Sequence, residues 1–208
     1  MNNRRLIIAT HNQGKVREFS DKLFPYFSEI LSAKTFSSVV PEETGATFSE
    51  NAIIKAKTLS HHAGINDKME TFVLADDSGL CIDALNGEPG LLSARWAETS
   101  CNGEIVLDFP YAMQTILKKL EHVTEKEARK AHFSCVLALY TDRDSYHIAE
   151  GIIHGTIALE MRGSLGHGYD PIFIPDGYNC TFAEMDQSLK NEISHRALAV
   201  QELRTYFA

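Results

Sequence analysis

Thr71-Phe72-Val73-Leu74-Ala75-Asp76-Asp77-Ser78-Gly79 begins as a continuous apolar run suited to a buried strand and then turns abruptly acidic. Two consecutive carboxylates at the end of such a strand are costly to leave unpaired, and a divalent cation resolves that cost. Adjacent strand residues face opposite sides, so at most one aspartate looks into a given site while the other ties down the loop. The same residues also suit a plain Asp-Ser-Gly turn joining Leu74 to a next strand at Leu80-Cys81-Ile82. The metal reading is preferred because magnesium sites use one or two carboxylates and complete the shell with water and substrate phosphates.

Toward the N-terminus, Arg5-Leu6-Ile7-Ile8-Ala9-Thr10 reads as another buried strand, and Val16 to Phe24 carries apolar residues at helical spacing. Between them lies the polar turn His11-Asn12-Gln13-Gly14-Lys15. A strand, a tight turn and a helix start can present backbone N–H groups and a helix dipole to phosphate. The stretch is not a Walker A loop, which needs a glycine where Ala9 stands and Ser or Thr where Val16 stands. Taken alone, it reads first as a strand-to-helix connection with a surface lysine and only second as a phosphate site. Farther on, Pro41-Glu42-Glu43-Thr44-Gly45-Ala46 is turn-rich, and Thr47-Phe48-Ser49-Glu50 fits a capping box. The stripe Phe48, Ala52, Ala56, Leu59, Ala63 predicts a helix with Gly64 as its stop, and Asn51 and Lys55 share a different face. Glu42 and Glu43 are ordinary dipole partners for that helix unless a second carboxylate converges on one of them as a metal ligand.

Downstream, Asn86-Gly87-Glu88-Pro89-Gly90 is a strong turn, and Arg95 after it suits either a phosphate or a surface ion pair. Ala131–Tyr140 and Tyr146–Ile153 predict a hairpin. Arg162-Gly163-Ser164-Leu165-Gly166-His167-Gly168-Tyr169-Asp170-Pro171 is a glycine-rich loop. Its glycines either satisfy turn geometry or let the His167 ring lie flat against a base, with Asp170 free to bond base edges. In the final helix Ser194 is a good N-cap, followed by His195 and Arg196. Positive charge in a first helical turn is disfavoured by the dipole, and a bound anion or a neighbouring acid reverses that penalty. Lys190 lies just upstream.

The whole chain of 208 residues reads as one folding unit, with 44% hydrophobic and 23% charged residues in an ordinary globular balance. A net charge of −8 argues against a surface built for polymeric nucleic acid. No secretory signal or membrane span is read, and Cys81, Cys101, Cys135 and Cys180 form no C-x-x-C pair. The expectation is a cytoplasmic protein with free thiols and no membrane partner.

In order and wording these blocks resemble the inosine triphosphate pyrophosphatase family, the noncanonical purine nucleoside triphosphate pyrophosphatases or XTP/dITP diphosphatases. The resemblance rests on A-T-H-N-Q-G-K at 9 to 15, E-E-T-G-A-T-F-S-E-N-A-I-I-K-A at 42 to 56, and A-D-D-S-G-L at 75 to 80. It extends through G-E-P-G-L-L-S-A-R-W at 87 to 96, G-H-G-Y-D-P-I-F at 166 to 173 and K-N-E-I-S-H-R at 190 to 196. It implies a homodimeric α/β protein: a single two-lobed domain with an elongated, curved mixed sheet flanked by helices and an active-site cleft between the lobes. It also implies hydrolysis of ITP, dITP and XTP to monophosphate and pyrophosphate with Mg²⁺. By matching positions, Thr10, His11, Asn12, Gln13, Gly14, Lys15 and Lys55 hold the triphosphate. Glu42 and Asp77 bind the metal, with Asp77 also the proton acceptor. Ser78, His167, Gly168, Tyr169, Asp170, Lys190, His195 and Arg196 contact the nucleotide. The chain departs from the family pattern at His167, where Phe is frequent, and at His11, where a small residue is common. The competing readings are a pyrophosphatase with another base preference, a non-catalytic nucleotide-binding regulator, and a phosphatase releasing orthophosphate.

Overall fold

The computed structural model describes residues 3–10, 12–35, 41–62, 69–101, 103–141 and 145–207, so His11, Ala63 and Gly64 lie outside the described residues. In chain order these form β1 (Arg4–Ile8), α1 (Gln13–Leu23), β2 (Glu29–Ser32), α2 (Phe48–His62) and β3 (Glu70–Ile82). Next come β4 (Glu98–Cys101), β5 (Glu104–Leu107), α3 (Phe109–Lys119), β6 (Lys130–Thr141) and β7 (Tyr146–Ile157). The chain closes with β8 (Phe173–Pro175), α4 (Gln187–Ile193) and α5 (His195–Arg204).

Six strands form a mixed sheet in the order β2-β1-β3-β6-β7-β8, with β1 parallel to β2 and β3, and β7 antiparallel to β8. β4 and β5 make a separate antiparallel ribbon. The expected hairpin is present as β6 and β7, each longer than its apolar run; the Thr141 amide donates to the Ser145 carbonyl at 2.9 Å where they meet. The residues group into two compact units: Met1–Asp77, Cys135–Gly151 and Leu198–Ala208 in the first, Ser78–Ser134 and Ile152–Ala197 in the second.

In the first unit the strands are apolar on both faces because both faces are covered. Leu6, Ile8, Phe72, Leu74, Leu137 and Leu139 pack against Phe19 and Leu23 of α1 and Ala199, Val200 and Leu203 of α5. The alternate residues Ile7, Val73, Ala75, Val136 and Ala138 meet Ala52, Ala56 and Leu59 of α2. Burying each Leu, Val or Phe in these layers contributes about 1.5–3 kcal/mol. The α2 stripe read from the sequence is therefore the face that packs. Thr47 caps that helix by accepting from the Glu50 amide at 3.1 Å, but the Glu50 carboxylate takes the Ala46 amide at 2.6 Å instead of the Thr47 amide that a full capping box requires. α1 starts at Gln13, three residues earlier than its apolar spacing indicated, because Asn12 caps it by accepting from the amides of Gly14 and Lys15. Gly14 and Lys15 thus belong to the first helical turn and not to a loop.

The second unit is built on Leu80, Ile82, Ile116, Phe133, Phe173 and Phe182. Arg129, absent from the sequence reading, is 3% exposed and ties the end of α3 to the end of β7. Its guanidinium donates to the carbonyls of Leu120, Val123, Ile157 and Ala158 at 2.7–2.9 Å. Carbonyls at a helix C-terminus carry negative potential and suit a buried cation.

The aspartates do not end their strand as expected, and the alternative Asp-Ser-Gly turn between two strands is not formed: β3 runs unbroken from Glu70 to Ile82, and both aspartates lie within it. Gly79 makes this possible through a close approach: a Cβ there would lie 2.2 Å from the Gly90 carbonyl oxygen and 2.7 Å from Ser93 Oγ. The Ser93 hydroxyl accepts from the Leu80 amide at 2.9 Å and donates to the Gly90 carbonyl at 2.6 Å, so the turn residues satisfy the strand. Gly79→Ala is expected to cost about 1–3 kcal/mol by overpacking against backbone. Urea unfolding measures it, and a loss below about 0.5 kcal/mol would show that the Gly90 turn simply moves aside.

Candidate active site

The residues expected to act fall into two groups, one in each unit. In the first unit Asp76 and Asp77, adjacent on β3, are both buried and each meets its own lysine. Lys15 of α1 contacts Asp76 Oδ2 at 2.6 Å, and Lys55 of α2 contacts Asp77 Oδ1 at 2.7 Å. Strand alternation accounts for the separate partners. Electrostatically, however, the two acids are not separate, since Asp76 also acts on Lys55. Asn51, one turn before Lys55, donates to Asp77 Oδ2 at 3.3 Å and accepts from the Gly45 amide at 2.8 Å. The helical spacing of Asn51 and Lys55 thus brings both side chains onto one carboxylate.

Of the two glutamates, Glu43 is the one that reaches Lys55, at 3.0 Å, while Glu42 is exposed. Burial raises the Asp77 carboxyl above its ordinary value and Glu43 adds to the rise, against the opposing pull of Lys55 and Asn51. Burial alone would lower the Lys55 ammonium, but Asp76, Asp77 and Glu43 together hold it above its usual value. The two shifts differ in origin, burial for Asp77 and neighbouring carboxylates for Lys55, and they meet where three carboxylates share two ammonium groups. Such a site favours added positive charge, and a carboxyl moved upward is better matched to accepting a proton near neutral pH.

No group of three His, Cys, Asp or Glu side chains converges as a ready metal cage among the described residues. A magnesium ion does not need one, since it takes one or two carboxylates and fills its octahedron with water and phosphate oxygens. The excess of carboxylates around Asp77 fits that donor chemistry. Thr10 is half-buried and accepts from the Asn12 amide at 3.2 Å, while Asn12, Gln13 and Gly14 are exposed at the start of α1. The amides of Gly14 and Lys15 are held by the Asn12 side chain, so an anion approaching them displaces that cap.

In the second unit Asp170 and Lys190 form a buried ion pair, at 3% and 5% exposure. Asp170 also accepts from the His167 amide at 2.6 Å. Its carboxylate therefore fixes the loop and is not free for base edges as the sequence suggested. The loop can close this tightly because Gly166 and Gly168 adopt positive φ, 76° and 66°, and a Cβ on Gly166 would fall 2.1 Å from Asp170 Oδ2. Tyr169 points into the core: its ring meets Phe109 edge-on, its hydroxyl donates to the Ser93 carbonyl at 2.7 Å, and burial pushes its ionisation well up.

Ser194 caps α5 as expected, accepting from the Ala197 amide at 3.3 Å. The buried His195 ring stacks on Phe133 at 4.7 Å with an 11° tilt, and Arg196 Nη1 lies 3.1 Å from His167 Nε2. Lys190, Asp170, His167 and Arg196 are thus joined in one chain of contacts. Ser78 is half-buried on β3 and Arg95 is exposed. Ser93 gained no role from the sequence, and Glu43 was not distinguished there from Glu42; both sit in turn-rich stretches whose composition masks a specific hydrogen bond.

A match to the Ham1 family spans residues 6–206. The chain is 43% identical over 198 residues to the dITP/XTP pyrophosphatase of Rhodospirillum centenum, covering 95% of this chain and 92% of that protein. It is 39% identical over 205 residues to the dITP/XTP pyrophosphatase of Oceanobacillus iheyensis, covering 98% of each. Its fold superposes on a HAM1 protein from Coxiella burnetii with a TM-score of 0.84 at 37% identity, over 100% of this chain and 98% of that one. A six-stranded mixed sheet, a strand bearing two lysine-paired aspartates, and this likeness along nearly all of its length make the chain a member of the Ham1 family.

Proposed function

We propose that the chain is a nucleoside triphosphate pyrophosphatase that converts dITP, ITP and XTP, with one water, to the nucleoside monophosphate and pyrophosphate. It would thereby clear damaged purines from the nucleotide pool. The observation that carries the reading is the Asp76–Asp77 pair on β3 with its lysines, a buried acid site with too few cations of its own. Thr10 to Lys15 and Lys55 are assigned to the triphosphate. Ser78, His167, Gly168, Tyr169, Asp170, Lys190, His195 and Arg196 are assigned to the rest of the nucleotide. Tyr169 and Asp170 act through the loop they hold, since their side chains are buried. Glu42 and Asp77 are assigned to Mg²⁺, which when bound offsets charge on the phosphate oxygens. Lys15 and Lys55 neutralise charge on the departing pyrophosphate, and the raised Asp77 carboxylate takes the proton of the attacking water.

Product analysis with dITP and Mg²⁺ tests the reaction: monophosphate plus pyrophosphate is expected, and diphosphate plus orthophosphate rejects it. Equal or better use of GTP rejects the base preference. Asp77→Asn is expected to lower kcat by about 10²–10⁴-fold with the fold intact. Alongside it, Glu42→Gln should weaken the dependence on Mg²⁺ more than Glu43→Gln does, because Glu42 is exposed while Glu43 is held by Lys55. The reverse order would move the metal assignment to Glu43.

The homodimer belongs to the same reading. Ile105, Val106 and Leu107 of β5 are exposed, as are Leu92 and Tyr111, all in the second unit. Exposed apolar side chains on a short ribbon strand suit an interface. Sedimentation is expected to give twice the chain mass, with Ile105→Glu shifting it toward the monomer; a wild-type monomer at all concentrations defeats the assignment.

A further inference from the structure

We propose that His167 is a positioning residue for Arg196, holding its guanidinium through an uncharged ring nitrogen and so making nucleotide affinity fall in acid. The role rests on the pyrophosphatase reading given above and adds to it a specific job for one ring. Arg196 Nη1 and His167 Nε2 are 3.1 Å apart. A guanidinium has donors only, so Nε2 is the acceptor and the ring proton resides on Nδ1. An imidazolium would bring two donors and two positive charges to the same point, and the contact would break.

The ring is a firm post because its backbone is fixed from below. The His167 amide is tied to Asp170 at 2.6 Å, Asp170 is tied to Lys190, and glycines with positive φ flank the histidine on both sides. Arg196, in contrast, extends from the first turn of α5, where the helix dipole repels a cation. A neutral acceptor at that place holds the guanidinium without itself cancelling its charge. A carboxylate in its stead would neutralise it. Charged groups joined to the ring and its loop among the described contacts include Arg196 itself, the Asp170 carboxylate that takes the His167 amide, and Lys190 of α4 bonded to that carboxylate. Protonation of the ring replaces the acceptor by a second donor, so the contact is lost in acid.

The test compares wild type with His167→Gln, which keeps an acceptor but cannot titrate, and with His167→Phe, which keeps a flat ring but has no acceptor. Triphosphate ionisation and Mg²⁺ binding change with pH equally in all three, so the readout is the ratio of KM for dITP. The wild-type to His167→Gln ratio is expected to rise about three- to tenfold between about pH 7.5 and pH 5.5. His167→Phe should raise KM at every pH and affect kcat less. A ratio flat in pH overturns the positioning role alone; absence of dITP turnover by the wild type overturns the pyrophosphatase reading and this role with it. Nitrogen-15 shifts of the ring in the nucleotide-free protein give an independent readout: a bare Nε2 above about pH 7 is expected, and a protonated Nε2 overturns the role.

Discussion

Two negative charges placed side by side inside a parallel strand must be balanced from both faces of the sheet, and much of the first unit is organised to do so. Asp76 and Asp77 point in opposite directions, so one helix cannot serve both. α1 brings Lys15 and α2 brings Lys55, and these are the same helices whose apolar residues bury the two faces of that strand. Packing and charge are therefore one constraint. The helices that cover the strand must also be in register to deliver an ammonium to it. The remaining imbalance, one carboxylate more than the lysines can meet, gives the site its affinity for further positive charge.

The second unit solves a related problem in a different way. Asp170 is buried and paired with Lys190, and its energy goes into holding a glycine loop closed. Breaking such a pair by removing one member leaves an uncompensated buried charge, typically costing about 3–5 kcal/mol, so the loop is rigid in the sense that matters for presenting His167. Acids that look alike in the sequence thus have different tasks. Asp77 keeps an excess of negative charge, whereas Asp170 is quenched and structural.

Elements governed by local periodicity were legible in the sequence. The packing face of α2 follows from Phe48, Ala52, Ala56 and Leu59, the cap of α5 from Ser194, and the hairpin from two apolar runs around a polar turn. What escaped depends on partners distant in the chain. Nothing local says that β3 continues through Asp76-Asp77-Ser78-Gly79, because its continuation depends on Ser93 and Gly90 meeting Leu80 and Gly79. Composition reads Asp-Ser-Gly as a turn for good reason, and tertiary contact overrides it. Similarly, the sequence places Glu42 and Glu43 on equal terms, and only the position of Lys55 distinguishes them. Arg129 carries no motif at all, since its four acceptors are main-chain carbonyls that any residues could supply.

Asn51 has a chemical asymmetry that extends beyond its two hydrogen bonds. Its oxygen faces a donor, the Gly45 amide, and its nitrogen faces an acceptor, the Asp77 carboxylate, so the side chain reads as polarised in one direction only. Hydrolysis of that amide to an aspartate would preserve shape and size while turning an acceptor toward an acceptor. Such a change in a single side chain would repel the acid it now steadies while leaving the Gly45 amide its acceptor, so the charge site alone would be disturbed and the hydrophobic core left untouched.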